Sequence, residues 1–276
     1  MFVTFSIVTP SFNSEQFIEE TIESVIYQRG NIYIDYVIID NCSNDNTIKL
    51  LDKYQEGFDS GTIKCNCLGV KFRYISEPDA GMYDALRKGM EMCEGDFFSY
   101  INSDDFYLPN ALSTVATVFG NENIMWLTGV PSLYNQDGAI TTLDIPCIYK
   151  SSYIRSGVYG EYLPYLQQES TFWRQELLKE LSYSKLATFK YAGDFYLWYT
   201  FAGKNKLYTV NAQLSGFRMH SGNKSLNTGA YKKEFNSIAV NKLSVLDYPI
   251  IFIYKILFKL IGNNLLKWFP NVINLH

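Results

Sequence analysis

The sequence lacks the features that mark several common functional classes. Its 276 residues carry a net charge of -4, from 24 basic and 28 acidic side chains, and so provide no overall positive field for nucleic acid phosphates. No Gly-x-Gly-x-x-Gly follows the first predicted strand, and no Gly-x-x-x-x-Gly-Lys-Ser/Thr occurs anywhere in the chain. A nucleic-acid partner, a dinucleotide-dependent oxidoreductase and a P-loop kinase are therefore disfavoured.

Cysteine and histidine are also scarce. The five cysteines are odd in number and irregularly spaced, and there are only two histidines, so neither a disulfide framework nor a zinc ribbon is indicated. The N-terminus lacks the charged region and cleavage site of a signal peptide. These features predict reduced thiols in a cytoplasmic protein.

What the sequence does contain is a regular alternation of strand and helix patterns over its first 130 residues. Short β-branched apolar runs alternate with segments whose apolar residues recur at helical spacing. This alternation predicts an α/β fold with a mostly parallel, Rossmann-like sheet flanked by helices. The predicted strands are Val3–Thr9, Tyr33–Asp40, Val70–Ser76 and Phe97–Ile101, and the predicted helices are Phe17–Ile26, Asn46–Gln55 and Gly81–Met92.

Polar segments follow all four predicted strands. They are 9–13, 40–43, 77–81 and 102–105. In open α/β sheets, ligands bind at the carboxyl ends of the strands, so these segments predict one binding rim. Asp104 and Asp105 offer hard oxygen ligands for Mg²⁺ or Mn²⁺, although an Asp-Asp pair alone also fits a capped turn.

The order of these segments resembles family 2 glycosyltransferases. The resemblance rests on TPSFN at 9–13, ESVIYQ at 23–28, VIIDNCSNDNT at 37–47, SEPDAGMYDA at 76–85 and NSDD at 102–105. It implies a GT-A fold, inverting transfer of a sugar from a nucleoside diphosphate sugar, and a divalent cation. It also implies that the donor is bound by Thr9, Pro10, Phe12, Asn13, Asp40, Asp79, Met82, Asn102, Ser103 and Asp104.

Within that set, the resemblance implies specific contacts. Pro10, Phe12 and Asp40 would contact the nucleobase, Asp79 would lie near the base and ribose, and Asp104 with Asp105 would serve the ribose and the metal-bound diphosphate. The chain departs from the family at residues 41–43, where Asn-Cys-Ser stands in place of Asp-Gly-Ser or Gly-Gly-Ser after the aspartate, and at Asn102, which replaces an aspartate. Arg87 stands where relatives often carry Asn, and fits either a diphosphate contact or a solvated helix charge.

Three later segments extend the resemblance. Residues 167–174 are similar to an acceptor-side segment, and residues 192–198 to the segment that carries the catalytic base. Asp194 is therefore the expected base, with Glu169 as its rival. Residues 218–222 are similar to a closing segment over the phosphates, which implies that Arg218 contacts the donor and that His220 joins Asp104 and Asp105 at the metal.

The C-terminal tail is rich in apolar residues and lysines. Lys255, Lys259 and Lys267 fall near one helical face, and Trp268 and Phe269 follow. The apolar run is shorter than the roughly 20 residues that a spanning helix needs, so an interfacial helix at the inner face of a membrane fits better. A helix that docks on the core or on another subunit is the alternative.

Together these patterns predict a metal-dependent glycosyltransferase that extends a surface polysaccharide or glycolipid. Residues 1–120 would form its nucleotide-sugar-binding half, 121–225 its acceptor-binding half within the same domain, and 226–276 a helical tail. Two alternatives are weaker. A nucleotidyltransferase usually has a Gly-rich basic loop after the first strand, and a non-catalytic nucleotide-sugar-binding protein would be expected to have lost one of the acidic positions.

Overall fold

The computed structural model describes residues 2–145, 147–239, 243–261 and 271–275, with the side chains of 257–261 left aside. The strands are β1 Val3–Ser11, β2 Gly30–Asp40, β3 Cys67–Ser76, β4 Phe97–Tyr100, β5 Phe106–Tyr107, β6 Trp126–Thr128, β7 Ser132–Asn135, β8 Ile140–Leu143, β9 Thr171–Arg174, β10 Leu207–Val210, β11 Ser215–Met219 and β12 Val272–Ile273. An eight-stranded sheet in the order β12-β10-β6-β9-β4-β1-β2-β3 forms the centre of the protein, and four strands in the order β5-β11-β7-β8 form a smaller sheet.

Helices cover both faces of the large sheet. They are α1 Ile18–Ile26, α2 Thr47–Asp59, α3 Met82–Glu91, α4 Ala111–Phe119, α5 Ser151–Arg155, α6 Val158–Glu161, α7 Tyr183–Leu186, α8 Gly193–Phe201, α9 Thr228–Ile238 and α10 Asp247–Ile261, with 3₁₀ turns at Gln175–Glu180 and Lys224–Leu226. One buried cluster joins the sheet to α1, α2 and α4, and a second joins it to α3 and α8. The predicted α/β architecture, with helices on both sides of the sheet, is confirmed.

Most of the large sheet is parallel, as the sequence predicts. β1 pairs in parallel with β2 and β4, and β2 pairs in parallel with β3. β9 is the exception, because it runs antiparallel to both β4 and β6. Since β9 comes from residues 121–225, the first two predicted segments of the chain contribute to one sheet.

The sequence of Thr171–Leu181 also looks helix-like, and this prediction is wrong. Residues Thr171–Arg174 form β9 inside the large sheet, and the 3₁₀ turn Gln175–Glu180 follows. Phe172 and Trp173 are both fully buried there. Aromatic and β-branched residues suit such a strand, and Leu177 and Leu178 are buried in the turn that follows it.

α8 is apolar around almost its whole circumference. Phe195, Tyr196, Leu197, Trp198 and Phe201 are all buried. A helix of this kind is stable only inside the protein. Its N-terminal turn, where Asp194 lies, is thereby fixed against the interior rather than on a mobile surface loop.

The tail packs partly against the rest of the protein. Ile251 of α10 is buried, and the Tyr254 hydroxyl accepts a hydrogen bond from the Ile148 N–H at 3.0 Å. β12 then pairs in parallel with β10 at the edge of the large sheet. Within the described residues, no helix has the length and apolar character to cross a membrane. Lys267, Trp268 and Phe269, and the Lys259 side chain, lie outside the described part.

Candidate active site

Asp40 ties together the ends of the first three strands. Its buried carboxylate accepts hydrogen bonds from the hydroxyls of Ser11 at 3.2 Å, Ser43 at 2.5 Å and Ser76 at 2.8 Å, and from the Ser43 N–H at 2.9 Å. Several donors around one buried carboxylate compensate its lost hydration. Asp40 therefore holds the β1, β2 and β3 loops in one arrangement, and its expected contact with a nucleobase stays a prediction.

The loops that follow β1 and β2 are hydrogen-bonded to each other. The Asn13 N–H donates to the Ser43 hydroxyl at 2.8 Å, and the Asn44 N–H donates to the Asn13 side chain at 3.0 Å. Asn13 and Cys42 adopt left-handed backbone conformations, with φ of 49° and 52°. Glycine adopts this conformation most easily. This preference explains why family 2 glycosyltransferases commonly have glycine at the position of Cys42.

The β1 segment distributes its side chains between the interior and the surface. Thr9 and Pro10 are buried within β1, and the Thr9 hydroxyl lies 3.0 Å from that of Tyr36. Phe12, in contrast, is 56% exposed at the loop. Its ring is therefore free to present an apolar face at the rim.

Asp79 is half-buried at the end of β3. Its carboxylate accepts the Gly81 N–H at 2.7 Å, its own N–H donates to the Asn41 side chain at 2.9 Å, and burial raises its pKa. Met82 follows as the half-buried first residue of α3.

Arg87 is engaged by its own helix. Its guanidinium pairs with Asp84 at 2.9 Å and with Glu91 at 2.6 Å. Such pairs one turn apart are typical of helix surfaces. Arg87 therefore pairs within its own helix, and its contact with the diphosphate stays a prediction.

Asp104 meets the segment that follows β11. Its Oδ2 lies 2.8 Å from His220 Nε2 and accepts a hydrogen bond from the Asn223 amide at 3.2 Å. The preceding Ser103 hydroxyl lies 2.7 Å from that of Ser14, after β1. The structure thus brings Asp104 and His220 together, as the sequence predicts.

Asp105 faces the interior instead. Its buried carboxylate accepts the Arg218 N–H at 2.9 Å and the Asn102 amide at 3.2 Å. Burial raises the pKa of Asp105 well above its usual value, and the negative charges of Asp104 and Glu169 add to the effect. These contacts all lie within the protein, and the expectation that Asp105 shares a metal with Asp104 stays a prediction. Among the described residues, no three His, Cys, Asp or Glu side chains form a metal-binding group.

Arg218 is also interior, with 2% of its side chain exposed. Its guanidinium pairs with Glu20 at 2.5 Å, donates to the backbone oxygens of Asp104 at 3.0 Å and Gln136 at 3.1 Å, and lies over the ring of Phe17. These contacts link the guanidinium to α1 and to the loops that contain Asp104 and Gln136. These contacts all lie within the protein, and the expectation that Arg218 contacts the donor stays a prediction.

Asp194 lies in the first turn of α8, close to three hydrogen-bond donors. Its Oδ1 accepts the Phe195 N–H at 2.7 Å, and the hydroxyls of Tyr83 and Tyr231 each lie 3.4 Å away. Burial raises its pKa to about 6, although these donors oppose the shift. A Cβ at Gly193 would come within 2.4 Å of the Tyr83 ring, so only glycine allows this approach.

Glu169 is close enough to Asp104 and Asp194 for the charges of both to affect its pKa. It is 2% exposed, and its Oε1 has no hydrogen-bond partner among the described residues. Burial raises its pKa to about 8, and the charges of Asp104 and Asp194 add to the increase. Glu169 is therefore mostly protonated at neutral pH and can donate a hydrogen bond.

Two lysines add positive charge to this acidic rim. Burial lowers the pKa of Lys224, whereas the nearby charges of Asp79 and Asp104 favour its protonated form. The Lys190 ammonium donates to the backbone oxygen of Ala80. Sequence reasoning missed Lys190, Asn223 and Tyr231, because single polar residues in variable segments carry no local signal.

Comparison with known proteins agrees with this geometry. The model of the family described as "Glycosyl transferase family 2" matches residues 6–181. The poly(ribitol-phosphate) β-N-acetylglucosaminyltransferase TarS of Staphylococcus aureus is 26% identical over 41% of this chain and 18% of its own. The putative teichuronic acid biosynthesis glycosyltransferase TuaG of Bacillus subtilis is 27% identical over 50% of each. The matches thus span half or less of these relatives.

Solved structures show the same fold. TarS residues 1–349 in complex with UDP-GlcNAc superpose with a TM-score of 0.57 at 16% identity, covering 96% of this chain and 76% of that one. The mannosyltransferase PcManGT of Pyrobaculum calidifontis, in complex with GDP-Man and Mn²⁺, gives 0.57 at 12% identity, covering 93% and 70%. The fold is therefore of the GT-A type. Because the family model matches more than half of the sequence, the chain belongs to glycosyl transferase family 2.

Proposed function

We propose that the protein transfers a sugar from a nucleoside diphosphate sugar to a hydroxyl of a glycan or lipid-linked acceptor, with inversion at the anomeric carbon. The acceptor oxygen attacks that carbon, the bond to the diphosphate breaks with its electron pair, and Asp194 takes the proton of the acceptor hydroxyl. The arrangement of Asp104, Glu169 and Asp194 carries the proposal. The charges of Asp104 and Asp194 both raise the pKa of Glu169. We therefore infer that Asp104, beside the leaving diphosphate, and Asp194, which takes the proton, belong to one site.

Asp194 is better suited than Glu169 to act as the base. A general base must be ionised at working pH, and Asp194, with a pKa of about 6, meets this condition at pH 7. Glu169, with a pKa of about 8, does not. Protonated Glu169 instead suits a neighbouring role, in which it donates a hydrogen bond to the acceptor or the donor sugar.

The residues around Asp104 fit a divalent cation. Mg²⁺ and Mn²⁺ sites that bind nucleotides commonly use one or two protein ligands and complete their coordination with phosphate oxygens and water. Asp104 and His220 offer such a pair, with their donor atoms 2.8 Å apart. When bound there, the cation would neutralise charge on the departing diphosphate. Lys224 supplies positive charge from the protein itself.

The donor nucleobase is proposed to lie against Phe12, between the loops that Asp40 organises. The exposed ring of Phe12 offers a stacking face, and the hydrogen bonds between the loops that follow β1 and β2 hold the Phe12 loop in place. The other residues expected to bind the donor lie at or just after the ends of β1, β3 and β4, and they are Thr9, Pro10, Asn13, Asp79, Met82, Asn102 and Ser103.

Surface polysaccharide synthesis is the proposed setting. The names of TarS and TuaG refer to poly(ribitol-phosphate) and to teichuronic acid, and both support an acceptor of this kind. In the proposed division of labour, residues 1–120 bind the donor, 121–225 bind the acceptor, and 226–276 form the tail.

The protein is proposed to work in the cytoplasm, at the inner face of the membrane. α10 leaves Ile250, Phe252, Ile253 and Ile256 exposed on the side away from Ile251. After Asp247 the sequence contains three lysines and no acidic residue, which suits an anionic lipid surface. Flotation with phosphatidylglycerol vesicles tests this contact: the wild type should float and a Phe252→Ser, Ile253→Ser variant should not, whereas equal behaviour of the two would reject it.

A panel of nucleotide sugars tests the catalytic proposal. Purified protein is incubated with each donor and Mg²⁺ or Mn²⁺, and free nucleoside diphosphate is followed with and without EDTA. Release from one donor, suppressed by EDTA, is the expected result. No release from any donor, together with no nucleotide binding by calorimetry, would reject the proposed activity.

A further inference from the structure

Glu234 of α9 binds the chain just before Asp194. Its carboxylate accepts the backbone N–H groups of three consecutive residues, Lys190 at 2.9 Å, Tyr191 at 2.8 Å and Ala192 at 2.9 Å. Hydrogen bonds to an ionised acceptor are stronger than neutral ones. One side chain thus fixes the backbone that leads into α8.

This contact completes the N-terminus of α8. The first N–H groups of a helix have no partner within the helix and need one from elsewhere. Ala192 is the N-cap residue, and Glu234 accepts its N–H, while Asp194 accepts that of Phe195. Negative charge at this end is also favoured by the helix dipole.

α9 makes two further contacts around Asp194. The Tyr231 hydroxyl, one turn before Glu234, lies 3.4 Å from Asp194 Oδ1, and the Phe235 ring packs on Phe195 with centroids 4.2 Å apart. The helix therefore contacts Asp194, the residue after it and the three residues at 190–192. Such contacts on both sides restrict where the Asp194 carboxylate can lie.

We propose that Glu234 is a positioning residue for the catalytic base, an inference that rests on the role proposed above for Asp194. Without its carboxylate, three N–H groups lose their acceptor, and the first turn of α8 is free to shift. Glu234 does not contact the reacting atoms, and the donor-binding loops lie on other elements. Its loss should therefore lower turnover and leave donor binding intact.

The test compares Glu234→Ala with Lys233→Ala, an exposed position on the same helix, using the donor identified by the panel. Glu234→Ala should lower kcat for nucleoside diphosphate release by about 10- to 100-fold, because small misplacements of a catalytic group cost this much. The donor Kd, measured by calorimetry, should stay within about twofold, and Lys233→Ala should match the wild type. Sodium formate should restore part of the lost kcat, since it supplies a carboxylate, whereas sodium chloride at equal ionic strength should not.

Other outcomes would overturn the inference. A kcat for Glu234→Ala equal to that of Lys233→Ala would do so, as would a loss of kcat that formate does not restore. If the alanine variant does not fold, Glu234→Gln replaces it, because the glutamine NH₂ group cannot accept a hydrogen bond from a backbone N–H. Wild-type kcat in that variant would equally overturn the inference. Asp194→Asn is measured in parallel: normal turnover there would show that the proposed base is wrong, independently of Glu234.

Discussion

The pH dependence of turnover distinguishes the two candidate bases of the site, Asp194 and Glu169. Burial raises the pKa of Asp194 to about 6 and that of Glu169 to about 8. A base works only when ionised, so kcat/KM should rise with pH, reach half its maximum at the pKa of the true base and level off above it. At pH 7, roughly nine-tenths of Asp194 and only about a tenth of Glu169 would be ionised.

Two substitutions assign the pKa seen in that profile. Asp194→Asn removes the base and should lower kcat by roughly 10²- to 10⁴-fold, the usual contribution of general base catalysis. Glu169→Gln replaces a mostly protonated acid with a neutral amide of the same shape. It should cost less than about tenfold in kcat at pH 7 and keep the acid limb near pH 6.

The assay follows release of nucleoside diphosphate from pH 5 to pH 9 at saturating cation, with UDP and GDP binding measured at each end. Constant binding separates an effect on chemistry from one on donor affinity. A wild-type limb near pH 8, with Glu169→Gln inactive and Asp194→Asn active, would reverse the assignment. A flat profile between pH 5 and pH 8 would exclude both residues as the base.

Four further outcomes follow from the same contacts. Folded Glu169 holds its proton between its ordinary pKa of 4.5 and about 8, while the unfolded chain does not. Its contribution to the free energy of unfolding should therefore fall by about 1.4 kcal/mol per pH unit across that range, and urea unfolding of Glu169→Gln at pH 5 and pH 8 should lack this term. Arg218→Met should lower the free energy of unfolding by about 2–4 kcal/mol, because backbone oxygens and Glu20 lose a buried partner, and a Tm equal to the wild type would contradict this. His220→Ala should raise the Mn²⁺ concentration for half-maximal activity by roughly tenfold, and an unchanged titration would remove His220 from the cation site. Phe12→Ala should weaken nucleoside diphosphate binding about tenfold in calorimetry without lowering Tm, because only stacking is lost, and unchanged affinity would place the base elsewhere.

The fold of residues 1–120 could be predicted from the sequence because its signals are local. β1 to β4 each carry a β-branched or aromatic run, and the helices between them repeat their apolar residues at helical spacing. The polar loops that follow the strands then meet at one edge for topological reasons. The fold and the rim could be predicted in this way, whereas the approach of His220 to Asp104 was expected only from the family resemblance.

The strand β9 and the surroundings of Arg218 could not be predicted, for the opposite reason. β9 pairs with β4 and β6, and neither strand is adjacent to it in sequence. Arg218 is interior because it pairs with Glu20, 198 residues away, and packs on Phe17. Such pairings depend on the assembled fold, and a sequence motif alone does not reveal them.

The segment between β11 and the end of α9 connects the two ends of the proposed reaction. At its start, His220 and Asn223 contact Asp104, where the diphosphate is proposed to leave. At its end, Tyr231 and Glu234 hold Asp194 and the chain before it. One continuous stretch of chain therefore contacts both Asp104 and the residues at and just before Asp194, so this segment contributes to both ends of the proposed reaction.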